Sequence, residues 1–177
     1  EEGHERLKKR VEVKDVHAMC YLGSDYIEGN NGTKRYVKRG VKLWTRAAEL
    51  GEITSCAGLA DEYNPELSSR TGLKKDLDKA LHYYEIAAKG GHEQARFNLG
   101  ALQCIAGNVD VGVKHYMIAA LQGNDLALEK VKWGYVHGHI TKDDFAKALR
   151  AHKHAQDEVK SEQRTKLKQK MEKMGMQ

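Results

Sequence analysis

The side chains with chemistry to offer are three cysteines, Cys20, Cys56 and Cys104, and two histidine pairs, His137-x-His139 and His152-x-His154. A cysteine becomes a nucleophile only where its surroundings favour the thiolate. All three lie in apolar stretches with helical periodicity, where a cysteine is ordinarily a small, inert core residue. Three thiols cannot all pair with one another, and none has the close spacing of a zinc site or a disulfide framework. Read as helical, the histidine pairs are two apart and do not share a face, and neither has a cysteine or carboxylate at ligand spacing. The expectation is a chain with no catalytic residue, no metal and no cofactor. Asn31-Gly32-Thr33 is an N-glycosylation sequon in a predicted loop, relevant only to a secretory protein.

Composition bounds the elements that carry these residues. The chain has 177 residues, 40% of them hydrophobic, enough for one domain with a continuous core. Proline occurs once, at Pro65, which fits a chain helical almost throughout. Thirty Lys and Arg against twenty-five Asp and Glu give a net charge of +5, with the signs interspersed as on solvated helix faces. The basic stretch from Arg164 to Lys173 has no aromatic residue to stack on a base, so no nucleic-acid partner is expected. No apolar run approaches the roughly 18 residues that cross a bilayer, so no membrane span is expected. Unpaired cysteines favour a reducing, cytoplasmic setting. The chain opens at Glu1 without a methionine or a signal peptide, and a segment upstream is compatible with that start.

Internal repetition is the main signal. AMCYLGSDYIEG from Ala18, SCAGLADEY from Ser55, ARFNLGALQ from Ala95 and ALEKVKWGYVHG from Ala127 superpose on Leu22, Leu59, Leu99 and Val131. Each is followed by a second helix-like segment, and these align on Ala47, Ala87, Ala119 and Ala155. The step from Ala47 to Leu59, from Ala87 to Leu99 and from Ala119 to Val131 is always 12 residues. Within a repeat the step varies, being 25, 28, 20 and 24 residues. A constant joint implies close packing of one helix pair on the next, and a variable loop implies a surface turn that grows cheaply. Gly23, Ala60 and Gly100 after the anchors, and Gly40, Ala80, Gly112 and Ala148 on the second helices, are small enough to let helices approach. Trp44, Tyr84, Tyr116 and His152 should fill the space between layers, and Gly51, Gly91 and Gly123 should cap the second helices.

These residues resemble the Sel-1-like repeats of the tetratricopeptide-like superfamily, with the pattern A-x-x-x-L-G-x-x-Y-x-x-G, a loop, then K-A-x-x-W/Y-x-x-A-A-x-x-G. Ala18, Leu22, Gly23, Tyr26 and Gly29 match its first half, and Lys79, Ala80, Tyr84, Ala87, Ala88 and Gly91 its second. Departures are Ala60 for glycine, Gln103 for tyrosine, Lys132 for glycine, and Gln156-Asp157 at the last cap, so the fourth copy resembles a terminal cap whose second helix runs on into the tail. The resemblance implies an all-α fold, a right-handed alpha-alpha superhelical solenoid of about four helix-turn-helix repeats with a C-terminal helical extension. The expected organisation is an N-terminal helical segment over 1–14, repeats over 15–51, 52–91, 92–123 and 124–156, and a charged helical tail over 157–177.

In such solenoids the first helices line a concave surface that holds a protein or peptide partner. The implied groove positions lie two residues before and two after each anchor: Cys20, Ala57, Phe97 and Glu129, then Ser24, Asp61, Ala101 and Trp133. Phe97 and Trp133 are the strongest expected contacts, because exposed aromatics supply large area at low entropy cost. The alternative for Trp133 is a plug at the end of the core. The expected function is a non-catalytic interaction scaffold or adaptor, with the oligomeric state open. Two other functions stay open by resemblance. Cysteine-rich bacterial relatives are associated with beta-lactam hydrolysis or binding but carry a cysteine pair in each repeat, whereas here the single cysteines fall at non-equivalent positions. The stretch from Lys142 to Arg164 resembles the close of a eukaryotic subgroup with a RING-like zinc module before its repeats, absent from this chain, which would imply a ubiquitin-pathway adaptor.

Overall fold

One kind of turn recurs through the computed structural model, which describes residues 2–173, and it sets the spacing of the elements. Among the described residues the elements are all helices: α1 Glu2–Glu12, α2 Val16–Glu28, α3 Val37–Glu49, α4 Ile53–Tyr63, α5 Leu77–Lys89, α6 Glu93–Ile105, α7 Val109–Leu121, α8 Asp125–Val136 and α9 Lys142–Lys173. Between α3 and α4, Gly51 takes φ +85°, a left-handed conformation open to glycine without a steric penalty. Its N–H donates to Ala48 O at 2.9 Å and that of Glu52 to Ala47 O at 2.9 Å, the paired bonds of a Schellman close. Glu52 then opens the next helix, its carboxylate accepting the Ser55 N–H at 2.5 Å. One residue thus ends one helix and starts the next.

The same device stands between α5 and α6, where His92 N donates to Ala87 O at 3.0 Å and His92 Nδ1 accepts from Ala95 N at 3.1 Å. It stands between α7 and α8, where Asn124 N reaches Ala119 O at 3.3 Å and its side chain caps Ala127 N at 2.8 Å. It also stands between α1 and α2, where no repeat was expected. There Asp15 N donates to Arg10 O at 3.0 Å and Asp15 Oδ1 accepts from Ala18 N at 3.0 Å. The left-handed position is filled by Lys14 at φ +61°, at a cost of about 1 kcal/mol relative to glycine.

The chain forms two compact units, residues 1–102 and 103–177. In the first, α2 and α3 approach at glycines: a Cβ on Gly40 would lie 2.5 Å from both Gly23 O and Ile27 Cγ1. Trp44 packs against Gly23 and Gly58 and donates its indole N–H to Cys20 O at 3.1 Å. Leu22, Leu59 and Leu99 are buried, as are Ala47, Ala87 and Tyr84. In the second unit Val113, Tyr116, Ala119, Val131 and Ala148 are buried, and α9 packs on α7 and α8. His152 Nε2 lies 3.0 Å from Asp125 Oδ1, and Gln156 donates to Gly123 O at 2.9 Å. Beyond that contact α9 continues without a break to Lys173. Ala155, aligned with the buried alanines, is only half-buried.

The long α4–α5 loop is organised by Glu62, which is 1% exposed. Its carboxylate accepts from Arg70 N at 2.9 Å, Thr71 N at 3.1 Å, the Ser69 and Thr71 hydroxyls at 2.8 and 2.9 Å, and Arg70 Nε at 3.0 Å. Burial raises the pKa of this carboxyl, but the donors together outweigh it and hold the group below its ordinary 4.5. A lowered folded-state pKa means that the stabilisation is present above pH 4.5 and is lost as pH falls through the folded value.

Two outcomes are expected. Gly40→Ala should lower stability by about 1–3 kcal/mol in urea unfolding despite alanine's better helix propensity, because the new methyl meets backbone. Hydrogen exchange at Arg70 and Thr71 should accelerate as pH falls below that of an ordinary glutamate, after correction for the intrinsic rate. Glu62→Gln should remove that pH step.

Candidate functional site

The second unit holds an open cleft of about 580 Å³ lined by Cys104 of α6, Val109 and Tyr116 of α7, and Glu129, Lys130 and Trp133 of α8. Glu129, Lys130 and Trp133 share one face because residues three and four apart on a helix are neighbours. Trp133 is 44% exposed, unusual for so large an apolar surface. Its ring stacks on His137 with centroids 4.4 Å apart and on His139 at 5.4 Å. His137 Nδ1 lies 2.8 Å from Trp133 O, and His139 Nδ1 lies 2.9 Å from Asp110 Oδ1. The histidines therefore brace the indole, and they do so from a turn: α8 ends at Val136 and Gly138 takes φ +80°. The helical reading of this pair is corrected accordingly. Among the described residues no group of three or more His, Cys, Asp or Glu is arranged to hold a metal ion.

At the base of the cleft Tyr116 is 5% exposed and hydrogen-bonded to Cys104. Burial, then the neighbouring Cys104, pushes the Tyr116 hydroxyl up to about 12. Burial likewise raises the Cys104 thiol, only partly offset by Tyr116 and Lys130. A protonated thiol is a poor nucleophile. The cleft offers an apolar surface, a stacking ring and a rim of one acid and one base, which is the chemistry of holding a side chain.

The other expected groove residues fall in the first unit and differ from one another. Cys20 and Ala57 are 5% and 6% exposed and offer a partner almost no surface. Burial pushes the Cys20 thiol up to about 11. Ser24 is half-buried and donates to Cys20 O at 3.1 Å. Asp61 is half-buried in a polar cluster, accepting from the Tyr84 hydroxyl and from Asn98 Nδ2 at 3.3 Å, while Asn64 donates to the same hydroxyl at 3.3 Å. Burial, then Asp61, raises the Tyr84 pKa, so the phenol stays a donor. Phe97 and Ala101 are half-buried. Val109, Tyr116 and Lys130 were not expected at a site. Their positions carry no signal beyond core or solvent periodicity, and Cys104 was expected in the core.

A sequence model of the Sel1 repeat matches residues 16–52 and 54–92. Among solved structures, a protective antigen of uropathogenic Escherichia coli strains displaying an SLR fold is 29% identical, with a TM-score of 0.70 over 88% of this chain and 33% of that one. This chain therefore spans about a third of that relative's length. A Sel1 repeat protein from Oxalobacter formigenes is 27% identical, with a TM-score of 0.64 over 72% of this chain and 96% of that one. No curated protein matches the chain.

The three cysteines should differ in reactivity. In the native protein a thiol reagent should label Cys104 alone, slowly at neutral pH and faster as pH rises. Cys20 and Cys56 should react only after denaturant is added. Mass-mapped labelling reads this directly.

Proposed function

We propose that this chain, which carries Sel1 repeats over 16–52 and 54–92, is a protein-interaction module whose cleft around Trp133 receives an apolar or aromatic side chain of a peptide segment. The observation that carries this reading is a tryptophan left 44% exposed, braced by two imidazoles, beside an apolar cleft. A rigid aromatic loses little entropy on binding, and such residues dominate interface energies. Glu129 and Lys130 at the rim would orient charges flanking the inserted side chain. Within the first unit taken by itself, Phe97 and Ala101 are half-buried, whereas Cys20 and Ala57 act in packing. Burial favours the protonated form of the Cys104 thiol, which disfavours nucleophilic attack by that residue. Among the described residues no helix is long and apolar enough to cross a membrane.

Selection of displayed peptides against the purified chain should enrich sequences with a common aromatic or long aliphatic residue. Trp133→Ala should weaken their binding by about 2 kcal/mol, roughly thirtyfold, with the circular dichroism spectrum unchanged. Peptides that bind Trp133→Ala as tightly as the parent chain would place the site elsewhere.

A further inference from the structure

The joint between α1 and α2 puts those helices in register with α3 and α4. Adding 37 to a residue number carries Arg10 onto Ala47, Asp15 onto Glu52 and Leu22 onto Leu59. The same shift carries Leu7 onto Trp44 and Asp25 onto Glu62. The two places can therefore be compared side chain by side chain.

In the α3–α4 layer a guanidinium occupies the space between the aromatic and the acid. Arg70 Cζ lies 5.7 Å from the Trp44 ring centroid, and Arg70 Nε donates to Glu62 Oε1 at 3.0 Å. In the α1–α2 layer the corresponding acid, Asp25, is 6% exposed. Its Oδ1 accepts from Asn31 Nδ2 at 2.8 Å, while its Oδ2 is buried without a hydrogen-bond partner. Asp25 lines a cavity of about 390 Å³ together with Gly3, His4, Leu7 and Asn31. A buried carboxylate oxygen without a donor is costly, so a ligand that supplies one gains the full difference. The nearby arginine of the α2–α3 loop is committed elsewhere, since Arg35 donates to Ile27 O at 2.9 Å and to Arg70 O at 2.5 Å.

We propose that this cavity is a binding site for an arginine side chain presented by another molecule, with its guanidinium on Asp25 Oδ2 and its aliphatic stem along Leu7. Guanidinium is the class indicated because it fills the register-equivalent place within this chain, and because its planar, weakly hydrated fork suits a buried carboxylate better than an ammonium does. Cationic Lys8, Lys34 and Arg39 line the adjoining cavity. Lys8 is paired with Glu5 at 2.7 Å, and the other two are exposed, where salt screens them.

The test is an NMR titration of the full chain with N-acetyl-arginine methylamide, its citrulline analogue and its lysine analogue. The arginine compound should shift the amides of His4, Asp25 and Asn31 and bind at least about tenfold tighter than uncharged, isosteric citrulline. Asp25→Asn, checked for folding by circular dichroism, should lose a similar factor. The comparison on the unaltered chain stands even where that variant does not fold. Equal binding by citrulline, equal or tighter binding by lysine, shifts confined to other residues, or none up to the solubility limit would each overturn the assignment.

Discussion

Everything in this chain hangs on a turn in which one residue does two jobs. Its amide closes the helix behind it and its side chain opens the helix ahead, so no residue can be added or removed without breaking one set of bonds. The cost of an error is several unsatisfied backbone groups, whereas a longer loop costs only closure entropy, which grows slowly with length. That asymmetry explains a constant joint beside loops of different sizes. The side chain that does the capping varies freely among Asp, Glu, His and Asn, because all that is required is an acceptor at the right place.

With the joints held, the core follows from close approach. Small residues at Gly23 and Gly40 let α2 and α3 touch nearly backbone to backbone, and the bulk of Trp44 then occupies the space between layers. The loops, freed from setting the spacing, are pinned by buried carboxylates. Glu62 gathers five donors from its loop, while Asp25, at the same register, gathers one. Two related layers thus carry the same acid with different degrees of satisfaction, a difference that arises from the loops and not from the helices.

This division marks what can be read from a sequence. The anchors Leu22, Leu59, Leu99 and Val131 and the alanines opposite them announce themselves because burial imposes a period, and all-helical repetition follows from it. The joint before α2 obeys the same 12-residue step, from Arg10 to Leu22, but arginine, valine and lysine stand where alanines and glycine mark the others, so backbone geometry is conserved where letters are not. Polar pairing leaves no period at all. Nothing in the order of residues tells that Asp61 is tied to Tyr84, or that two histidines leave the helix to brace Trp133. Whether a first-helix side chain such as Cys104 or Trp133 is covered depends on what packs across it, and that is a property of three dimensions.

The absence of a closing glycine in α9 has a mechanical consequence. Val159 stands four residues past Ala155, where the other second helices break, and the helix runs on for 32 residues in all, about 48 Å at 1.5 Å each. A rod of this kind has a phase as well as a length. One residue inserted beyond Gln156 would rotate the backbone that follows by about 100° and carry it about 1.5 Å outward, so the phase of the helix past that point is geared, residue by residue, to the packed repeats at its base.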